Sequence, residues 1–316
     1  MQSRATAFAA ILMLLSPLLA LAQNPIQWNA NARGAIERAR EQQIPVMFWV
    51  TDGRDIGDGG DLRDAQAESF RDPIVVSIAE HHFVPVRISR NSRVLEEAQR
   101  LGLPTSHGLF VALVTAEGRV LDTIDPVQVA NPEAFSQRLT AAFRAFRDDL
   151  YQNSLKGILT TADSPLPALR RALDTVWRLN ILSADRDVVA LLDRADLLPV
   201  ERQRLYSLLA SFATEPSVNA LLARAGNGDR EAASALGRSE AGALEFLVTR
   251  LPTAGSASPT QLAAYDAAAQ ILRMPRRPAS FWTTARPEDS ARELENLRTR
   301  AAGVLEYWQE RIGQWR

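Results

Sequence analysis

The hydrophobic pattern of this chain changes period at about Leu150. Before that point, short apolar runs of strand length alternate with helical segments. Beyond it, strand signals stop and helical periodicity runs almost to the C-terminus. Such a chain must close one α/β core and follow it with an all-helical one. In the first part, Asn29 to Gln43 reads as a helix with Ala32, Ala35, Ile36 and Ala39 on one face, closed by Pro45. Val46-Met47-Phe48-Trp49-Val50 is a continuous apolar run, the mark of a strand buried on both faces. A Gly/Asp loop from Thr51 to Gly60 precedes a helix from near Leu62, which breaks at Asp72-Pro73 and resumes through Ile74 to Glu80. Phe83 to Ile88 reads as a strand, and Arg93 to Leu101 as a short helix leading to Gly102-Leu103-Pro104. Leu109 to Val114 and Arg119 to Ile124 read as strands joined by the turn Ala116-Glu117-Gly118. Asn131-Pro132-Glu133 starts a helix, with Asn as N-cap and Pro in its first turn. Its stripe is Phe135, Leu139, Ala142, Phe143 and Phe146.

In the second part, Ser164-Pro165 opens a helix with the stripe Leu169, Leu173, Val176 and Trp177. Helices are predicted over Asp185 to Leu192, Val200 to Phe212, Ser217 to Arg224, Pro259 to Leu272 and Pro287 to Trp315. Asp229 to Leu236 and Glu240 to Leu251 are expected to form a close pair, and "DREAASALGRSEAGALEFLVTRL" resembles one HEAT-type helical hairpin. No clean repeat of 30 to 45 residues extends across the region, so a solenoid and an irregular bundle both fit.

The 316 residues suit two domains, read as 23–150 and 151–316. A formal net charge of -1 gives no electrostatic case for nucleic acid or an anionic membrane surface. Of the 36 basic residues only Lys156 is a lysine, a bias best ascribed to genomic composition. Arg4, the apolar stretch Ala5 to Leu19 and Ala20-Leu21-Ala22 form a secretory signal with an A-x-A site. The expectation is cleavage after Ala22, a mature chain from Gln23 and a periplasmic location in a Gram-negative cell. No later run has the length of a membrane span. The chain contains no cysteine, so it has no disulfide, thiolate chemistry or Cys-ligated metal.

Taken together and in order, Trp28, the helix Ala35 to Arg40, "IPVMFWV", "ESFRDPIV", "HHFVPVRIS", "RLGLPT" and "VALVTAEGRVL" resemble a thioredoxin-like domain. The resemblance spans about residues 27 to 148 and is to the domains fused to periplasmic thiol:disulfide interchange proteins. It implies a central mixed sheet flanked by helices. It also implies a redox Cys-x-x-Cys at the N-terminus of the helix after the first buried strand. Counting back from "SFRDP" puts that motif at Gly59-Gly60-Asp61-Leu62, with Gly59 and Leu62 at the cysteine positions. Thiol–disulfide exchange is therefore ruled out. The family's second hallmark is a proline, often cis, that presents backbone to an extended substrate. Pro104 with Thr105 matches "G-x-P-T", but Ser106-His107-Gly108 intervene before the strand; counting back from Gly118 puts Leu109 there instead. Both registers stay open, and Pro104, Thr105 and His107 mark the candidate peptide groove.

Asp52, Asp55, Asp58, Asp61 and Asp64 share one loop with glycines and could wrap a hard cation such as Ca²⁺, although their three-residue spacing is not that of an EF-hand. Alternatively the loop is solvated, with Asp58 or Asp61 capping the next helix. His107 near these carboxylates would permit acid–base work or Zn²⁺ binding, whereas the adjacent His81 and His82 point apart. Trp308 and Trp315, seven apart on the last helix, share a face that is either core or a partner surface. The reading is a redox-inactive thioredoxin-like α/β domain followed by a HEAT-like or bundle domain. The expected role is a non-catalytic module, an assembly factor, chaperone or scaffold that holds another exported protein. A metal-dependent or acid–base enzyme, or a Ca²⁺-responsive binding protein, is the alternative.

Overall fold

All six residues of Val46–Thr51 are buried, and this strand, β1, lies inside the sheet that organises the first part of the chain. The computed structural model describes residues 25–51, 61–89, 110–253 and 257–311, with backbone alone for 61–63, 89 and 311. It divides into two units between Arg147 and Asp148. Together they make a mostly helical α/β protein with one four-stranded sheet.

In the first unit, α1 (Ala32–Gln42) precedes β1, and α2 (Asp61–Ser69) and α3 (Pro73–His82) lead to β2 (Val84–Ser89). A helical crossover of this kind allows β1 and β2 to run parallel, with Val46 opposite Val84 and Thr51 opposite Ser89. β3 (Phe110–Val114) lies antiparallel to β1 on its other side, and β4 (Val120–Ile124) antiparallel to β3, giving the order β2-β1-β3-β4. The tight turn between β3 and β4 needs a left-handed residue, supplied by Gly118 at φ 93. Asp72 caps α3 by accepting from the amides of Ile74 and Val75 at 2.9 and 3.0 Å. Asn131 does the same for α5 (Pro132–Leu150) through Ala134 N–H at 3.1 Å. The predicted α5 stripe is buried from Phe135 to Phe146. A short helix, α4 (Pro126–Val129), capped by Asp125, is an addition the periodicity did not anticipate.

The first helix is a correction. Asn29 is not helical but bridges β2 at Val86, donating to Pro85 O and accepting from Arg87 N–H at 3.0 and 3.1 Å. This covers the outer edge of β2, and the helix starts only at Ala32, capped by Asn31. The opposite edge, β4, is blunted by its own charges: Asp122 takes the Thr123 amide at 2.8 Å and pairs with Arg138 of α5.

The second unit begins with the final residues of α5, a π-turn over Tyr151–Leu155 and α6 (Lys156–Thr160). Then come α7 (Leu166–Leu179), α8 (Asp185–Leu191), α9 (Pro199–Phe212) and α10 (Glu215–Gly226). Both α7 and α9 end on a left-handed residue, Asn180 at φ 49 and Ala213 at φ 48. Polar rungs tie these two hairpins together. Arg170 Nε donates to Glu201 at 2.7 Å, Arg224 reaches Asp193 at 2.6 Å and Leu192 O at 3.3 Å, and Asp185 accepts from the Thr214 and Ser217 hydroxyls. The partners lie 29 to 32 residues apart. A regular spacing of polar links thus runs through α7 to α10, where the sequence shows no clean period.

It does not continue. α11 (Arg230–Leu236) packs with α9, α10 and α13 (Pro259–Ile271). The helix expected over Glu240 to Leu251 is broken into two 3₁₀ turns around α12 (Leu244–Leu247). The indole of Trp308 lies against Gly242 in that stretch, where a Cβ would come within 2.8 Å of the ring. α14 (Phe281–Thr284) and α15 (Pro287–Arg311) complete the unit. Trp177 is a further correction. The buried face of α7 is Leu169, Ala172, Thr175, Val176 and Leu179, and Trp177, one residue round the helix from Val176, is 43% exposed. Among the described residues no helix is long and apolar enough to cross a membrane.

Candidate functional site

The chain leaves the sheet at Thr51 and Ser89, which pair with each other, and re-enters it at Phe110, which pairs with Val50. All three strand ends sit at the carboxyl end of the parallel strands, the end where open α/β sheets present their ligand sites. Gly59, Pro104, Thr105, His107, Leu109, Asp52, Asp55, Asp58 and Trp315 lie outside the described residues. Asp61 and Leu62 open α2, for which only their backbone is described, and Asp64 on the same helix is exposed. Trp308 is half-buried against Gly242, so its ring packs within its own unit.

Near this end of the sheet lies an aromatic cluster. The Trp49 ring meets those of Trp28 at 5.2 Å and Phe70 at 4.8 Å, Phe70 meets Phe135 edge-on at 6.0 Å, and the Arg87 guanidinium lies 5.1 Å from the Trp49 ring. β1 supplies Trp49 because alternate residues of a strand share a face, and the last turn of α2 brings Gln66, Ser69 and Phe70 together. Three buried polar atoms here find no hydrogen-bond partner among the described residues: Trp49 Nε1, Gln66 Oε1 and Ser69 Oγ. Gln66 is anchored by its amide nitrogen, which donates to Pro126 O at 3.0 Å. All three atoms are buried within the core of the first unit. Sequence reasoning missed these residues because Trp49 reads as plain strand core and Gln66 and Ser69 as the solvated side of a helix.

Neither described histidine supplies a base. His82 stacks on Phe143 with ring centroids 4.3 Å apart, and its pKa falls to about 4 because burial, the nearby Arg147 and His81 all disfavour its charge. His81 Nδ1 lies 2.8 Å from Ser77 O, one turn back on α3. Among the described residues no group of three or more His, Cys, Asp or Glu side chains is placed to hold a metal ion.

The second unit carries two neighbouring grooves that share Asp193. One, of about 880 Å³, is lined by Thr161, Ser164, Asp187 and Asp196 beside α8; the other, of about 450 Å³, lies between α8 and α10 and includes Asn227 and Asp229. Arg194 closes the first, donating through Nε and Nη2 to Asp196 at 2.9 and 2.7 Å and to Ser164 O at 3.2 Å. Its guanidinium holds the Asp196 carboxyl below the usual range. At the second, Tyr206 donates to Asp229 at 2.6 Å, and burial together with that carboxylate pushes the phenol up to about 12. Tyr206 and Arg194 are thus each held by a fixed partner. Elsewhere on α7 and α9, Trp177, Leu198 and Val200 are exposed to 43%, 52% and 58%. No protein-family model, no curated protein and no solved structure matches the chain.

Proposed function

We propose that this protein is a non-catalytic periplasmic binding module: an assembly, chaperone or scaffold factor that holds an extended segment of another exported protein. In this reading the first unit is a thioredoxin-like domain without redox chemistry, and the second a HEAT-like helical domain. The observation that carries the reading is a mixed sheet in the order β2-β1-β3-β4, with β1 and β2 ending and β3 beginning at the same end, in a chain that has no cysteine. The linked helices α7 to α10 support it, since a row of packed helices presents a long surface, here with Trp177, Leu198 and Val200 exposed.

The test is a pull-down of the chain from Gln23 to Arg316 out of native periplasmic extract, with Ca²⁺ or chelator, beside a Trp177→Ser variant of unchanged thermal stability. The expected result is one protein retained in both buffers and depleted at least several-fold by the substitution. No retained partner, together with Ca²⁺-dependent stability of the chain, would move the assignment to the loop bearing Asp52, Asp55, Asp58 and Asp61.

A further inference from the structure

A third groove in the helical unit, of about 530 Å³, lies between the end of α10, α11 and α13. Its size falls within the range of small-molecule sites, about 300–1,000 Å³. Its floor is narrow because α10 and α13 approach closely: a Cβ on Gly226 would stand 2.5 Å from Thr260 Oγ1 and 3.0 Å from Thr260 Cα. Ser234 and Gln270 add a hydroxyl and an amide to the lining.

Three charged side chains, Arg230, Asp266 and Arg276, line this groove. Asp266 projects from the middle of α13, half-buried, and makes neither a hydrogen bond nor an ion pair among the described residues. Burial pushes its carboxyl above the ordinary range, against the opposing pull of Arg276. Arg276 and Arg230 line the same groove, and neither forms an ion pair among the described residues. Some arginines of this unit close on acids, as Arg194, Arg224 and Arg277 do at 2.6 to 3.0 Å. Here a carboxylate and two guanidiniums stand in one cavity, electrostatically felt but not joined.

A ligand with a single charge fits this arrangement poorly. A simple anion would be drawn to the arginines but would meet Asp266, and a simple cation would be drawn to Asp266 but would meet two guanidiniums. A molecule carrying both charges satisfies every group. We propose that this groove binds a small zwitterion of the amino-acid or short-peptide class, its ammonium on Asp266 and its carboxylate on Arg276 and Arg230. The guanidinium fork suits a carboxylate, and the small side chains of the floor let the ligand backbone approach. The site stands independently of the peptide-holding role proposed above.

The test is calorimetric titration of the full chain with a panel of α-amino acids, longer ω-amino acids and dipeptides. Each is matched by an amine lacking the carboxylate and an N-acylated acid lacking the ammonium. At least one zwitterion is expected to bind saturably, and removal of either charge to weaken it tenfold or more. Asp266→Asn abolishes the preference for the ammonium, and Arg276→Gln the preference for the carboxylate; the exposed position of Arg276 keeps the second variant folded if the first is not. No saturable binding by any zwitterion at millimolar concentration overturns the proposal. So does binding that is indifferent to Arg276→Gln and equal for the singly charged analogues.

Discussion

Replacing Gly226 with alanine sets two opposite effects against each other. Gly226 is the last residue of α10 and does not have a left-handed φ, so alanine fits its backbone. In open surroundings a helical Gly→Ala change stabilises by about 0.5–1 kcal/mol, because the unfolded chain loses freedom. At Gly226 the new methyl would sit 2.5 Å from Thr260 Oγ1, 3.0 Å from its Cα and 3.2 Å from its Cβ. The hydroxyl can rotate away, but the Cα is backbone and moves only with the start of α13. Overpacking of that kind costs about 1–3 kcal/mol, so the net expectation is a loss of roughly 0–2.5 kcal/mol in place of the gain. For a unit of this size each kcal/mol lowers Tm by about 2–4 °C. Gly157 in α6 and Gly303 in α15 are the controls, since a Cβ at either meets nothing within 4 Å. Alanine there should stabilise by about 0.5–1 kcal/mol. Thr260→Ala added to Gly226→Ala should restore only part of the loss, because the new methyl still presses on the backbone of residue 260. Urea unfolding followed by far-UV circular dichroism reads all four chains. If Gly226→Ala stabilises as much as the two controls, the close approach of α10 to α13 is wrong.

Three further outcomes follow from buried polar groups. The pKa of His82 is about 4 in the folded protein against 6.5 in the unfolded chain, so between those values the unfolded state binds more protons. Stability is full above pH 6.5 and falls as pH drops towards 4; in a series of urea midpoints His82→Phe should flatten that slope. Tyr265 donates to Glu293 at 2.9 Å and accepts from the Arg277 amide at 3.2 Å, all beside the edge-on Trp282 ring. Tyr265→Phe should therefore cost about 1–3 kcal/mol in the same assay and shift the tryptophan emission. Asp185→Ala removes the acceptor shared by the Thr214 and Ser217 hydroxyls, where Ser217 is fully buried. Its expected cost is about 1–3 kcal/mol for each orphaned group. Hydrogen exchange should show lost protection at the starts of α8 and α10, and unchanged exchange there would contradict the latch.

Much of the first unit is legible residue by residue. The run from Val46 is a strand buried on both faces, Asp72 and Asn131 cap the helices they precede, and Gly118 turns the chain between two strands. Asn29 misleads because nothing in its neighbourhood says that Pro85 and Arg87 will claim its backbone. Among candidate site residues, sequence reasoning picks polar and glycine-rich loops, whereas Trp49, Gln66 and Ser69 look like ordinary strand and helix positions. Asp266 is equally silent, being one acid in an alanine-rich helix until the fold half-buries it without a partner.

What the sequence determines alone is whatever acts within a few residues or through composition. Helix and strand periods, caps, turn glycines and the absence of any thiol belong to that class, because each depends on a local hydrogen bond, a dihedral or an atom that is present or not. The tertiary structure alone decides which groups about thirty residues apart become neighbours. It joins Arg170 to Glu201 and Arg224 to Asp193, turns Trp177 outward, and sets the indole of Trp308 against Gly242 where the predicted helix breaks. It also decides that alanine is unwelcome at Gly226 and harmless at Gly157. Burial and close approach are properties of packed surfaces, and the same residue type takes either sign according to what stands opposite it.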